Sequence, residues 1–172
     1  VRRLIVIMHR KYLRSLACAV AVDTFTFFLP ESKWTNDFKT RIRHHEPGVN
    51  KKLYNIISHA PADSVIVDAG AHVGDTGLFI ASILKQLGIP GRIVEIDPDP
   101  SKLSFILETA RLNDLSDFIE TINAALRETN GTGQLDKKHH AGAWQVVDGS
   151  DFEIRRLDDI MRNHPTPFLI KL

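Results

Sequence analysis

From Lys51 onward, short β-branched runs alternate with stretches of helical period. That alternation predicts βαβ units and a parallel sheet. Ser64-Val65-Ile66-Val67-Asp68-Ala69 is apolar without alternation and closes on small residues, the pattern of a central parallel strand buried on both faces. Asp75–Leu87 reads as a helix with Leu78, Phe79, Ile83, Leu84 and Leu87 on its apolar face, stopped by Gly88 and Pro90. Arg92–Asp97 is a second strand. Pro98 and Pro100 break it and open a helix over Ser101–Asn113, since proline is tolerated in a first turn. Phe118–Ala124 reads as a third strand and Gly131–Val147 as a β-hairpin with a loose tip at Lys137–Gly142. Leu157–Arg162 is a short helix and Pro167–Leu172 a fourth strand.

The segment before this pattern differs in charge. Residues 1–60 hold 11 Lys and Arg against 4 Asp and Glu, a net of +7; residues 61–172 hold 11 against 17, a net of −6. The division expected is a basic N-terminal segment over residues 1–50 and an α/β domain over residues 51–172. Arg2, Arg3, Arg10, Lys11 and Arg14 precede the apolar run Ser15–Leu29, which resembles a signal peptide or anchor with a basic flank. Asp23, Thr24 and Thr26 interrupt that run, which is shorter than the roughly 20 apolar residues of a spanning helix. Its alternatives are a helix or strand packed on the domain, or a leader that is no part of it. Membrane association through residues 1–29 is therefore disfavoured and a cytoplasmic location favoured. Pro30–Lys52, with Trp34, Arg41, Arg43, His44 and His45, reads either as a cap over a substrate cleft or as a solvated surface.

Composition then narrows the class. The 172 residues are 43% hydrophobic and 25% charged, which suits one globular domain and excludes wholesale disorder. The whole-chain net charge of +1 argues against nucleic acid as a partner held by bulk charge. Cys18 is the single cysteine, so no intrachain disulfide forms; in the run LACAVAV it reads as a small packed hydrophobe rather than a reactive thiol.

The chemistry concentrates in Asp68-Ala69-Gly70-Ala71-His72-Val73-Gly74-Asp75-Thr76-Gly77, between a predicted strand and a predicted helix. Glycine permits close backbone approach to a ligand, and a helix N-terminus offers N–H donors. The dinucleotide fingerprint G-x-G-x-x-G is not met, because three residues separate Gly70 from Gly74. Asp68 would repel a pyrophosphate yet accept from an ammonium group. The loop thus favours a cationic ligand with an amino-acid moiety, such as S-adenosylmethionine. Asp97, at the end of the second strand, has a spacing suited to a ribose and does not itself choose between NAD and S-adenosylmethionine. Asp68 and Thr76 as helix caps, and the glycines as turn residues, are the plain alternative.

Val67-Asp68-Ala69-Gly70-Ala71-His72-Val73-Gly74-Asp75-Thr76 resembles the first motif of class I S-adenosylmethionine-dependent methyltransferases, and within them the DVGANxGDT-like loop of the FkbM-type family. Ile96-Asp97-Pro98-Asp99-Pro100 resembles that family's FEPxP segment, with Asp for Glu. Arg156-Leu157-Asp158-Asp159-Ile160 resembles its TLDDL segment, and Phe168–Leu172 the start of its LIKIDVEG strand. The resemblance spans about Leu53 to Leu172. It implies a Rossmann-like class I methyltransferase sheet with flanking helices, truncated at the fourth strand. It implies S-adenosylmethionine as cofactor and O-methylation of a sugar or other small-molecule hydroxyl. By position, Asp68, Gly70 and Gly74 would line the methionine end, Asp75 and Thr76 would border it, and Asp97 would hold the ribose. Pro98 would lie beside the adenine, with Asn123 and Ala124 near its opposite face. His72 stands where the family has Asn; it keeps a side-chain donor, or is simply a polar loop residue.

The family's Asp-x-Glu/Asp-Gly would follow Leu172, so the chain is expected to be a fragment holding the cofactor half of a site. His139 and His140, in the hairpin tip, are the candidate bases for a hydroxyl acceptor, or an exposed loop pair. No metal is expected: His44, His45, His139 and His140 lack helical ligand spacing. The other functional readings are a Rossmann-type oxidoreductase using NAD and a non-catalytic or degenerate module.

Overall fold

A computed structural model describes residues 16–22, 25–44, 49–136 and 145–172. The chain opens with an antiparallel hairpin, β1 (Leu16–Val22) and β2 (Phe25–Pro30), followed by helices α1 (Thr35–His44) and α2 (Val49–Ile57). Strand β3 (Ser64–Ala69), helix α3 (Asp75–Leu87), strand β4 (Gly91–Ile96) and helix α4 (Pro100–Leu112) come next. A 3-10 turn at Ser116–Phe118 leads to β5 (Ile119–Ile122), then β6 (Ala125–Leu126), β7 (Gly131–Asp136), β8 (Gln145–Asp148) and β9 (Phe152–Arg155). Helix α5 (Leu157–Met161) and strand β10 (Leu169–Lys171) complete it.

The central sheet is parallel throughout, in the order β10-β3-β4-β5. Counted along the chain, that is a 3-2-1-4 arrangement, the first part of the doubly wound order, and its direction reverses between β3 and β10. The expected α/β fold is therefore what the chain forms. Every position of β3 is buried, as its unbroken apolar run requires.

The two faces of the sheet bury different sets. On one, Ile66 and Ile93 pack beneath Leu78, Ile80 and Ile83 of α3 and Phe105 and Ile106 of α4. Over those helices lie the hairpin and α1: Phe25 meets Phe79 edge-on at 5.5 Å, and Phe38 bridges Phe27 at 5.7 Å and Phe105 at 5.9 Å. On the other face, Val65, Val67, Val94 and Ile96 pack with Ala124 and Ile160.

The described residues of the apolar run Ser15–Leu29 thus form paired strands. Val20 and Val22 point inward while Ala19 and Ala21 are exposed, the period-2 alternation of a half-buried strand. No helix among the described residues is long and apolar enough to cross a membrane. The predicted third strand, Phe118–Ala124, is shorter than expected. It ends at Ile122, whose carbonyl accepts from Asp97 N–H, and the chain then leaves the central sheet for a second one. That second sheet, in the order β6-β9-β7-β8, contains the expected hairpin as β7 and β8. Strands β6 and β9 were not foreseen. Two to four residues carry too few side chains to show a period.

Candidate functional site

The loop between β3 and α3 holds three residues in the left-handed region: Gly70 and Gly74 at φ 73° and His72 at φ 55°. Histidine is among the few non-glycine residues enriched there, with Asn and Asp. His72 therefore takes a backbone conformation that few non-glycine residues adopt. Gly74 has a second constraint, because a Cβ there would come within 2.7 Å of Ile106 Cγ1.

The loop fastens to the end of β4. Gly70 N–H and Ala71 N–H both donate to Ile96 O, at 2.9 and 3.0 Å. His72 N–H donates to Asp97 Oδ2 at 2.9 Å, and Gly74 N–H to Ala71 O at 2.8 Å. Asp97 is almost fully buried and ties several segments together. Its Oδ1 accepts from Asp99 N–H at 2.9 Å and lies 3.8 Å from Lys102 Nζ, while its carbonyl accepts from Asn123 Nδ2 at 3.1 Å.

At the carboxyl ends of β3 and β4 lies a cavity of about 440 Å³, within the usual size range of small-molecule sites. Gly70, His72, Asp97, Pro98 and Ala124 line it. Of the other residues singled out in the sequence, Asp68 lies beneath the loop, Gly74 packs on Ile106, Asp75 pairs with Arg41 and Thr76 is half-buried in the first turn of α3. Asn123 reaches the site through its bond to Asp97 O. Leu135 of β7 and Val146 of β8 also line the cavity; His139 and His140 between those strands lie outside the described residues.

Three carboxyl groups sit under the loop. Asp68 and Glu95 are partners across the β3–β4 pairing, and Asp75 opens α3. All are at least 97% buried. Lys171 Nζ reaches Asp68 Oδ1 at 2.9 Å, and Arg41 Nε reaches Asp75 Oδ1 at 3.1 Å. Burial pushes Asp68 above the ordinary carboxylate range, against the pull of Lys171. Glu95 is pushed up much further, by burial first and then by the charges of Asp68 and Asp75. Burial lowers His72, helped by Lys102 and Arg41 and opposed by Asp37 and Asp97, so its imidazole is neutral at pH 7. Among the described residues, no group of three or more His, Cys, Asp or Glu side chains is arranged to hold a metal ion.

Glu95 sets a pH dependence whose sign follows from its raised value. Above its ordinary 4.5 the unfolded chain releases the proton that the folded chain keeps, so stability falls as pH rises. Asp68 shifts in the same direction and titrates with it. Glu95→Gln keeps a neutral group of the same size. It is expected to raise stability at pH 8 by about 1 kcal/mol or more, with a smaller gain at pH 5. Urea unfolding at the two pH values checks this; an equal gain at both would show that Glu95 is not proton-linked.

Residues from α1 and its approach close over the loop. Trp34 Nε1 donates to Ser101 Oγ at 3.1 Å, and its ring meets that of His72 edge-on at 6.0 Å. Asp37 Oδ2 lies 3.5 Å from His72 Nε2, and Arg41 lines the cavity. Sequence reasoning did not assign these three to the site. Its only signal was a tryptophan and an arginine in a segment readable as a cleft cap.

A parallel sheet with its switch point beside β3, and a cavity at the carboxyl ends of its strands, defines an open α/β ligand-binding domain of the Rossmann-like kind. Solved structures similar to it include several named as methyltransferases. The S-adenosylmethionine-dependent methyltransferase from Agrobacterium tumefaciens is 15% identical at TM-score 0.45, over 62% of this chain and 31% of that one. TYW2 from P. horikoshii, solved with MeSAdo, is 18% identical at TM-score 0.42, over 67% of this chain and 43% of that one. Geranyl diphosphate C-methyltransferase from Streptomyces coelicolor A3(2), solved with Mg2+, geranyl-S-thiolodiphosphate and S-adenosyl-L-homocysteine, is 15% identical at TM-score 0.36, over 56% and 38%. The chain therefore spans less than half the length of each of these proteins. No family model matches the chain, the FkbM-type family included, and no curated protein matches it in sequence.

Proposed function

We propose that the chain binds S-adenosylmethionine in the 440 Å³ cavity and belongs to a methyltransferase acting on a hydroxyl of a sugar or other small molecule, of the FkbM type. The observation that carries this reading is the pairing of Asp97 with the Gly70–Gly74 loop at one rim of that cavity.

The residues present fit the cofactor. Asp97 offers a carboxylate at the rim to accept from two ribose hydroxyls. Pro98 and Ala124 supply apolar walls suited to an adenine. Asp68 and Asp75 stand behind the loop at the methionine end, each paired with a cation, Lys171 and Arg41. When bound, the cofactor supplies an activated methyl group. The chain's own part is then to orient it, to exclude water and to take a proton from the acceptor hydroxyl. Trp34 and His72 shield the loop side. For the proton, His139 and His140 remain the candidates, on the segment joining two strands whose Leu135 and Val146 line the cavity.

The same geometry argues against NAD. A pyrophosphate is held by loop and first-turn N–H groups, and four of these, those of Gly70, Ala71, His72 and Gly74, already donate within the protein. Titration calorimetry with S-adenosylhomocysteine and with NADH decides between them. Binding of the first and none of the second is expected; the reverse would overturn the reading. Binding of S-adenosylhomocysteine without methyl transfer by the full-length protein would favour the non-catalytic module.

A further inference from the structure

We propose that Arg41 is the residue that reads the carboxylate at the amino-acid end of the cofactor. This rests on the cofactor reading above. It begins from what the loop lacks. Gly70, Ala71, His72 and Gly74 N–H all have acceptors inside the protein, so a carboxylate beside the loop is left with the first-turn N–H groups of α3 as backbone donors. The Asp75 carboxylate, at the first position of α3, is itself unfavourable to an anion there. A cationic side chain at this rim would give the carboxylate of a zwitterionic ligand a charge-assisted partner.

Among the described residues, Arg41 and Lys102 line the cavity and Lys171 stands beneath the loop. The Lys102 side chain is only 6% exposed, and its Nζ lies between Asp97 Oδ1 and the Trp34 ring. Lys171 holds Asp68 at 2.9 Å and does not line the cavity. Arg41 does line it, with its side chain 41% exposed. It reaches Asp75 through Nε, which fixes the direction of the guanidinium. The donors on Nη1 and Nη2 form the planar fork that matches a carboxylate in two parallel hydrogen bonds. Asp75 thus positions Arg41, and Arg41 meets the ligand.

The test uses two ligands that differ by one group: S-adenosylhomocysteine and its decarboxylated analogue, which keeps the adenosine, sulfur and amine. Calorimetry on the whole chain should show wild type binding the carboxylated ligand better. Arg41→Ala should weaken it by about tenfold or more and leave the analogue within about twofold. Arg41→Lys keeps the charge but loses the fork, and should weaken only the carboxylated ligand, to a lesser degree. It carries the test if the alanine variant does not fold. Equal weakening of both ligands would make Arg41 a structural residue and overturn the assignment. Equal affinity of wild type for the two ligands would also overturn it and leave the cofactor reading intact. Failure of wild type to bind either would overturn the cofactor reading, and the assignment with it.

Discussion

Gly77→Ala is expected to destabilise the fold by about 1–3 kcal/mol, and adding Glu95→Ala to it should recover most of that loss. The direction is opposite to the usual one. Alanine in place of glycine inside a helix ordinarily gains about 1 kcal/mol. Gly77 lies in the first turn of α3, where the helix crosses β4, and a Cβ there would overlap the carboxyl group of Glu95. That carboxyl is fully buried in a crowded core and has nowhere to swing. Removing it frees the space that the new methyl group needs, so the two substitutions should couple by at least about 1 kcal/mol in a double-mutant cycle measured by urea unfolding. Additive effects would mean that the two positions do not compete for the same volume.

Asp97→Ala is expected to weaken S-adenosylhomocysteine binding by at least about tenfold, roughly 1.4 kcal/mol, because two ribose hydroxyls lose a charged acceptor. The structure adds a second route to the same loss. Asp97 also receives His72 N–H and Asp99 N–H, so the alanine variant releases the glycine loop from β4 and the turn that starts α4. Asp97→Asn separates the two contributions. It keeps an acceptor of the same shape but removes the charge, and should fall between wild type and alanine in affinity while losing less thermal stability than alanine. Unchanged affinity in a folded Asp97→Ala variant would remove the ribose assignment.

The sequence was most legible where several constraints coincide within a short span. In Ser64–Leu87 an unbroken apolar run, two glycines and an amphipathic stretch all point to one strand–loop–helix unit, and that unit forms with the expected bounds. A strand near the end of the chain was also readable from Pro167–Leu172, but its place beside β3 was not, and in the described sheet it lies at an edge with Ile170 exposed. Legibility failed where contacts join distant positions. Trp34 reaches Ser101, 67 residues away, and Arg41 reaches Asp75, 34 residues away; no local period signals either pairing. Gly77 and Glu95 read as an ordinary helical glycine and a strand acid until the register shows one filling the space the other leaves. The hairpin of Leu16–Pro30 was obscured for another reason: Ala17, Ala19 and Ala21 alternate with larger residues too weakly in polarity to distinguish strand from helix.

The central claim, a nucleoside-bearing cofactor seated at the carboxyl ends of β3 and β4, is tested most directly by a crystal structure of the protein with S-adenosylhomocysteine. The account predicts both ribose hydroxyls within hydrogen-bond distance of the Asp97 carboxylate, about 2.5–3.0 Å, with the adenine between Pro98 and Ala124. A ligand seated elsewhere, or an empty cavity at saturating concentration, would contradict it.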